Sequence, residues 1–163
     1  MSKLIVGTHD CRMDERGRLR LPAPIVMRND LEQNGAKFML SLGMGGHLVL
    51  YPANVWESTC ERVLKLDDFD EAQSEFKDMF FQMLDTVELD GNGRFQISSH
   101  LASAVGIDRD VVISGRGDRY YIWAKDVFEK QKPSGKQLRE SAQKAFASYK
   151  QQTTTALKSD EEA

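Results

Sequence analysis

Two stretches of the chain share a pattern in which a polar turn is followed by alternating apolar and polar positions. Each reads Asp, two variable residues, Gly and Arg, with apolar residues at the second and fourth positions after the Gly. In the first copy, residues 14–22, this alternation predicts a strand with Leu19 and Leu21 on one face and Arg18 and Arg20 on the other.

The second copy, residues 90–98, repeats the pattern. Phe95 and Ile97 are predicted to face inward, and Arg94 and Gln96 to face outward. Each copy therefore predicts a short strand that carries cationic or amide side chains beside a tight loop.

The turn residues of both copies have a structural role of their own. The carboxylates of Asp14 and Asp90 can accept a hydrogen bond from the backbone two residues further on. Gly17 and Gly93 supply the positive φ that such a tight turn requires. We therefore assign these four residues to loop structure.

Around these motifs the pattern predicts two hairpins and several helices. Glycine-rich turns join residues 37–42 to 47–51 and residues 111–114 to 119–123. Further short strands are predicted at residues 3–7 and 86–89. Helices are predicted near residues 25–33, 55–66 (with Asn54 as the N-cap), 76–84, 98–105, 124–130 and 136–150, with disorder from about residue 151.

One predicted helix carries a stripe of large apolar residues. Phe76, Met79, Phe80, Met83 and Leu84 form the stripe at helical spacing, which favours packing in the protein core. Contacts between subunits, made by aromatic and Met residues of positions 55–84, are the alternative interpretation.

The similarity of the two halves extends beyond the turns. Residues 48–57 match residues 120–129, each with a four-residue strand followed by a helix that opens on Val, an aromatic residue and Glu. A unit this small buries its apolar faces poorly, so the two copies are expected to complete each other around a pseudo-twofold axis. The predicted fold class is α+β.

Charge is distributed unevenly along the 163 residues, although the net charge is only −3. Residues 1–28 hold six basic side chains against three acidic ones, whereas residues 61–90 hold three against ten. A basic end on an acidic body favours a polyanion at one surface. No apolar run is long enough for a membrane span, and Cys11 and Cys60 are interpreted as free thiols of an intracellular protein.

Several blocks together resemble the bacterial MraZ proteins, which carry two SpoVT/AbrB swapped-hairpin domains in one chain. The blocks are Gly7, residues 14–22, 48–57 and 89–97, Gly106 with Ile107, residues 111–115, and Ile122 with Trp123. The chain departs from the family at Ser98, where a Pro is usual, and at Ala102, where an Arg is usual. The second copy is therefore expected to contribute less to DNA binding.

The resemblance implies a fold of two tandem AbrB-like swapped-hairpin repeats that form a pseudo-twofold β core flanked by helices. The expected boundaries are residues 7–54 for the first repeat, 55–82 for a helical connector, 83–126 for the second repeat and 127–163 for a C-terminal helix and polar tail.

The resemblance also implies a function. The expectation is a sequence-specific transcriptional regulator, with repression as the expected sign of control, that acts on the division and cell-wall gene cluster. A cytoplasmic, nucleoid-associated ring of several subunits would bind repeated promoter sites on double-stranded DNA. No membrane, small-molecule substrate or cofactor is expected.

The candidate DNA-binding residues lie on the two strand-loops. They are Arg12, Arg16, Arg18 and Arg20 in the first copy, with Arg94 and Gln96 in the second. Arginine grips phosphate oxygens or guanine edges with a set of parallel donors. The alternative is that Arg18 and Arg94 form salt bridges to the loop aspartates and stabilise the turns, which is compatible with DNA contact.

Catalysis and metal binding are not indicated. His9, His47 and His100 are scattered without metal-ligand spacing, and the glycine-rich turns lie inside hairpins rather than between a strand and a helix. The second functional hypothesis is a non-catalytic protein-interaction module, antitoxin-like or scaffolding, that uses the same fold.

Overall fold

The computed structural model of the protein describes residues 4–22 and 37–161, and the helix predicted at residues 25–33 lies outside this part. The chain divides into two compact units, Met1–Glu129 and Lys130–Ala163. The first has a mixed α+β architecture. Its strands are β1 (Thr8–Arg12), β2 (Arg18–Arg20), β3 (Lys37–Leu42), β4 (Leu48–Pro52), β5 (Leu84–Glu88), β6 (Arg94–Gln96), β7 (Asp110–Gly115) and β8 (Tyr120–Ala124).

The described helices connect and follow these strands. They are α1 (Ala53–Leu64), α2 (Glu71–Gln82), α3 (Ser99–Ala104), α4 (Lys125–Gln131) and α5 (Gly135–Glu161). No helix in the described part combines the length and the apolar character that a membrane crossing requires.

The larger sheet is antiparallel, with the order β1-β7-β8-β4-β3-β5. Strands β4 and β8, which hold equivalent places in the two halves of the sequence, pair at its centre. The first strand of each half then pairs with the hairpin of the other, because β1 lies against β7 and β5 lies against β3. The halves are therefore joined by hydrogen bonds at three places in this sheet.

A separate two-stranded ribbon, β2 with β6, forms the second layer. Leu19 pairs with Phe95 at its middle, Arg18 with Gln96 and Arg20 with Arg94. The ribbon's apolar side chains and those of α3 pack on one face of the large sheet. The core includes Leu19, Leu21, Phe95, Ile97, Leu101, Phe38, Leu40, Leu48, Leu50, Val111, Ile113, Tyr120 and Ile122.

The predicted hairpins are confirmed, as is the inward alternation of the two motif strands. The strand predicted at residues 3–7 falls partly outside the described residues, and residues 4–7 do not form a regular strand. The structure has β1 at Thr8–Arg12, and Ile5 forms only an isolated bridge with Gly117. β1 alternates exposed and half-buried positions without strongly apolar residues, so its sequence lacks the usual strand pattern.

Two helix predictions also need correction. α1 begins at Ala53, and Pro52 rather than Asn54 occupies the N-cap position; the φ of −56° at Pro52 already suits helix entry. α5 continues to Glu161 instead of becoming disordered near residue 151. Thr153, Thr154 and Thr155 satisfy their hydroxyls on backbone carbonyls four residues earlier, which is compatible with a continued helix.

The stripe predicted to be core is only partly buried, with Met83 packed against the core. No residue of α1 or α2 is fully buried, and Met79 is more than half exposed. Phe76 and Phe80 are partly buried in an aromatic cluster, in which Trp56 stacks on Phe80 with ring centroids 5.9 Å apart. α1 packs against β3 and β4 at the large sheet.

A buried histidine lies between aromatic rings on this sheet. The His47 side chain is 6% exposed and lies 4.0 Å from the Tyr121 ring and 4.4 Å from the Trp123 ring. Burial lowers the pKa of the imidazole below its ordinary value of 6.5, and the Gly45 backbone offsets only part of this shift.

The lowered pKa of His47 predicts a loss of stability in mild acid. The unfolded chain takes up a proton near pH 6.5, whereas the folded imidazole takes one up only at lower pH, so the free energy of unfolding should fall as the pH drops from 7 towards 5. Each unit of pKa difference is worth about 1.4 kcal/mol. Urea unfolding across this pH range measures the effect.

Two variants test the assignment of this pH dependence. His47→Gln should flatten the dependence between pH 7 and 5, whereas His100→Gln, at an exposed position, should leave it unchanged. Equal slopes in wild type and His47→Gln would contradict the prediction.

Candidate nucleic-acid interface

Each end of the β2–β6 ribbon is a loop organised by one aspartate. In the first loop, Asp14 Oδ1 accepts hydrogen bonds from the backbone N–H groups of Arg16 and Arg18, both at 2.9 Å. In the second, Asp90 Oδ1 accepts from Asn92 at 2.8 Å and from Arg94 at 2.9 Å. The two carboxylates therefore fix equivalent loops.

Glycine is required at the same place in both loops. Gly17 has φ of +74° and Gly93 has φ of +73°, a region that side chains with a Cβ rarely adopt. Each donates its backbone N–H to the aspartate carbonyl, at 3.1 Å and 3.0 Å respectively. At Gly17 an added Cβ would also lie only 2.9 Å from Gln96 Nε2.

The backbone of each loop is also bonded to the opposite strand. The Ile97 N–H donates to the Gly17 carbonyl and the Leu21 N–H donates to the Gly93 carbonyl, both at 3.0 Å. These two bonds extend the ribbon beyond β2 and β6 and tie each loop to the other half of the sequence.

Side chains add a second pair of bonds between the halves. Arg20 Nε donates to the Asn92 carbonyl at 2.9 Å, and Gln96 Nε2 donates to the Arg16 carbonyl at 2.7 Å. Arg20 and Gln96 hold equivalent positions in the two motifs. Each of these two side chains therefore bonds the loop of the other copy. The outward faces of both strands thereby become one surface.

Arg18 and Arg94, which hold the same position in the two motifs, make different contacts. Arg18 Nε lies 2.9 Å from Asp14 Oδ2. Arg94 lies between both aspartates, with Nε 4.0 Å from Asp90 Oδ2 and Nη1 3.9 Å from Asp14 Oδ2. Both side chains are about one-third exposed, so each guanidinium is oriented by protein and still reaches solvent.

The aspartates stay ionised to low pH. The pKa of Asp14 lies below its ordinary 3.8, first because the carboxylate accepts the Arg18 backbone N–H and further because of the Arg18 side chain. The pKa of Asp90 is lowered in the same way by the Arg94 backbone N–H. Both carboxylates are therefore negatively charged partners for the arginines at neutral pH.

The ribbon is nearly twofold in its backbone bonds but not in its charge. At equivalent positions the first half carries Arg12, Arg16, Arg18 and Arg20, whereas the second carries Glu88, Asn92, Arg94 and Gln96. Arg12, Arg16 and Arg20 are exposed, as is Glu88. A polyanion is thus attracted to one half and meets a carboxylate in the other.

A groove of about 590 Å³ lies where the first half meets the second loop. Arg12 and Arg20 line it together with residues 91–93. The Cys11 thiol also lines the groove, and burial raises its pKa to about 11, so it remains protonated and unreactive at neutral pH.

The structure brings the predicted site residues together on the ribbon and its loops, apart from Arg12, which joins them through the shared groove at the end of β1. Sequence reasoning missed Asn92 and Cys11 as neighbours of the site, and Glu88 as the residue equivalent to Arg12. Aligning the two motifs at β1 and β5 would have signalled Glu88, because it holds the place of Arg12. Among the described residues, no group of three potential metal ligands is close enough to hold an ion.

Replacing Asp14 by Asn is expected to lower the melting temperature at neutral pH, because the charged partner of Arg18 is removed. The lowered pKa of Asp14 means that its stabilising effect is present above pH 3.8 and is lost as the pH falls through the folded-state pKa. The difference in melting temperature between wild type and variant should therefore shrink in acid.

Asp90→Asn is the matched control for this prediction. Its effect should be smaller, because Asp90 lies 4.0 Å from its arginine whereas Asp14 lies 2.9 Å from Arg18. Equal losses in the two variants, or a difference from wild type that persists unchanged at low pH, would contradict the assignment. Calorimetry from pH 7 to pH 3 provides the measurement.

Comparison with known proteins identifies the family. A family model described as "MraZ protein, putative antitoxin-like" matches the chain twice, over residues 4–79 and 80–155. The two matches are consecutive and together span most of the chain, which confirms the resemblance noted from the motifs.

The curated relatives of this chain carry the same family name. The transcriptional regulator MraZ of Cytophaga hutchinsonii is 32% identical over 124 residues, which cover 76% of this chain and 82% of that protein. The transcriptional regulator MraZ of Flavobacterium psychrophilum is 32% identical over 128 residues, which cover 77% and 80%. The protein of the same name from Heliobacterium modesticaldum is 31% identical over 128 residues, which cover 78% and 85%. The chain therefore belongs to the MraZ family.

Proposed function

We propose that the protein is a transcriptional regulator that binds double-stranded DNA through the outward surface of the β2–β6 ribbon. The observation that carries this proposal is the set of four arginines, Arg12, Arg16, Arg18 and Arg20, on or beside one half of a rigid ribbon. Arg94 and Gln96 contribute less. The names of the curated relatives support regulation of transcription.

The hydrogen bonds of the ribbon favour this role. Arg18 uses Nε to bind Asp14, and its guanidinium carries further N–H donors on both Nη atoms that suit phosphate oxygens or guanine. A guanidinium that is already oriented loses less conformational freedom on binding. The salt bridge therefore supports DNA contact rather than competing with it.

The proposal extends to the fold. The exchange of β1 and β5 between the two halves supports tandem AbrB-like swapped-hairpin repeats, with boundaries near residues 7–54 and 83–126. The helical connector would then be residues 55–82, and residues 127–163 would follow the second repeat. These finer assignments rest on the topology together with the family.

We further propose how the regulator acts. A module with about four phosphate contacts binds weakly at physiological salt. Each contact gains free energy from the release of counterions, and this gain falls as the salt concentration rises. A ring that presents several modules to repeated promoter sites gains affinity when the spacings fit. The family supports the division and cell-wall gene cluster as the target, with action in the cytoplasm at the nucleoid.

A protein-interaction module is the second candidate. The words "antitoxin-like" in the family description favour it, since an antitoxin binds a protein partner. A complex that depends on protein contacts elsewhere on the chain should be insensitive to Arg18, which separates the two candidates.

Replacing Arg18 by Ala should weaken DNA binding at least tenfold and make its salt dependence shallower, because phosphate contacts set the slope. Fluorescence anisotropy of a DNA fragment from upstream of the protein's own gene, over a salt series, measures both. Arg62→Ala, at an exposed position of the acidic helix α1, is the control and should bind as wild type does. Absence of wild-type binding at low salt would overturn the proposal that the protein binds DNA. Unchanged binding by Arg18→Ala would overturn the assignment of DNA binding to the ribbon surface.

Replacing Glu88 should have the opposite effect. Glu88 holds the position equivalent to Arg12, so Glu88→Gln should raise DNA affinity a few-fold and Glu88→Arg should raise it further, with a steeper salt slope. Glu57→Arg, on the exposed side of α1, controls for the change in net charge. If both positions gave the same increase, the gain would come from net charge alone and not from the ribbon.

A further inference from the structure

One large aromatic residue is completely exposed. Phe69 lies in the turn between α1 and α2 and has a side chain that is 100% exposed. Large aromatic side chains are normally buried to a substantial extent, and at interfaces they supply much of the binding energy. Such a residue in an ordered turn points to a binding contact.

The turn that carries Phe69 (residues 67–70, the Phe69 turn) is held by several hydrogen bonds. The Phe69 N–H donates to Asp67 Oδ1 at 2.9 Å, and Asp70 Oδ1 caps α2 by accepting the Gln73 N–H at 2.9 Å. Lys77 Nζ donates to Asp68 Oδ1 at 2.6 Å and to the Leu66 carbonyl at 3.1 Å. The ring is therefore presented from a fixed backbone.

Charge restricts what could receive this ring. Phe69 is surrounded in sequence by Asp67, Asp68, Asp70 and Glu71. A complementary surface needs an apolar recess for the ring and a basic rim for the carboxylates.

The same unit of the protein carries a groove that combines apolar and basic side chains. A groove of about 450 Å³ (the Leu4 groove) is lined by Leu4, Arg116, Gly117, Asp118, Arg119 and Tyr121. Leu4 is 53% exposed, which leaves apolar surface at the groove open to solvent. Arg119 is fixed by Asp118 at 2.8 Å and by the Tyr51 ring, 5.0 Å from its guanidinium carbon.

Two other described grooves fit the Phe69 turn less well. One is the candidate nucleic-acid interface. The other is lined by Asp108, Asp110 and Asp126 together with Arg109 and Lys125, so its carboxylates would repel those of the turn. The Leu4 groove combines exposed apolar surface with two arginines and a single aspartate.

We propose that the Phe69 turn of one copy of the chain docks in the Leu4 groove of a second copy, with Arg116 and Arg119 facing the carboxylates of the turn. The two surfaces differ, so the contact is heterologous, and repetition of a heterologous contact produces a closed ring or a filament. This inference rests on the homo-oligomer in the proposed function and identifies its interface.

The first experiment compares the assembly of wild type, Phe69→Ala and Phe146→Ala by sedimentation velocity. Phe146 is 68% exposed on α5 and provides a matched loss of exposed aromatic surface. Phe69→Ala should need at least tenfold more protein to assemble, and Arg116→Glu should act in the same direction, while Phe146→Ala behaves as wild type. Assembly of Phe69→Ala at wild-type concentrations would overturn the interface.

The second experiment uses cysteine pairing in a chain with Cys11→Ser and Cys60→Ser. Phe69→Cys and Leu4→Cys are made on separate chains, mixed and oxidised with oxidised glutathione, which accepts the electrons of the two thiols. A disulfide-linked dimer should form in the mixture and not in either variant alone. A dimer in Phe69→Cys alone would indicate a symmetric contact and overturn the proposal.

The two proposals fail separately. A monomeric wild type in sedimentation would overturn the interface and the ring, while anisotropy with Arg18→Ala would still decide whether this surface binds DNA. An intact assembly without DNA binding would overturn the DNA contact and leave the Phe69 interface standing.

Discussion

The pairing of β2 with β6 is the constraint on which the rest of the structure depends. Three residue pairs in the ribbon are too few to be stable in water without support. The ribbon is stabilised because Leu19 and Phe95 are buried beneath it and because each loop is bonded to the opposite strand. Removing a buried Phe costs about 3–5 kcal/mol in typical cores, a large part of the stability of a small domain. The candidate interface and the core are thus two faces of one ribbon.

This coupling explains how polar loops can be rigid. Each aspartate accepts two backbone N–H groups of its own loop, and each loop offers a carbonyl to a side chain of the other half. Because these backbone groups already have hydrogen-bond partners, a change of loop conformation would cost the free energy of those bonds. The side chains of Arg18 and Arg20 are consequently positioned by bonds within the protein, and binding of a ligand would not need to order them.

Much of the local structure could be predicted from the sequence, because it is determined by neighbouring residues. The two hairpins follow from glycine turns between apolar runs, and the inward positions of Leu19 and Phe95 follow from alternation. The pairing of β1 with β7 could not be predicted, since no local pattern specifies a partner a hundred residues away and β1 itself lacks apolar alternation. The stripe of α2 had the helical period of a core helix, but periodicity does not reveal whether a partner surface is present, and Met79 lies exposed.

The candidate site likewise has features that the local sequence predicts and features that depend on the fold. The motif predicted the aspartate-centred turns, and the spacing predicted which side chains face outward. The hydrogen bonds from Arg20 and Gln96 to the opposite loops require the two halves to be adjacent, which is a property of the fold.

Joining both halves in one chain has a consequence that a dimer of single repeats would not permit. In a homodimer every charge on one half would be duplicated on the other, so each Arg12 would be matched by a second Arg12 at the equivalent position. Here the backbone bonds remain twofold while Glu88 replaces Arg12 and Asn92 replaces Arg16. The shape depends on the aspartates, the glycines and the buried apolar pairs, which both halves retain, so the exposed positions can differ without changing it. A surface with a symmetric backbone and asymmetric charge has a direction, and on the proposed function it would favour one orientation of bound DNA over the reverse.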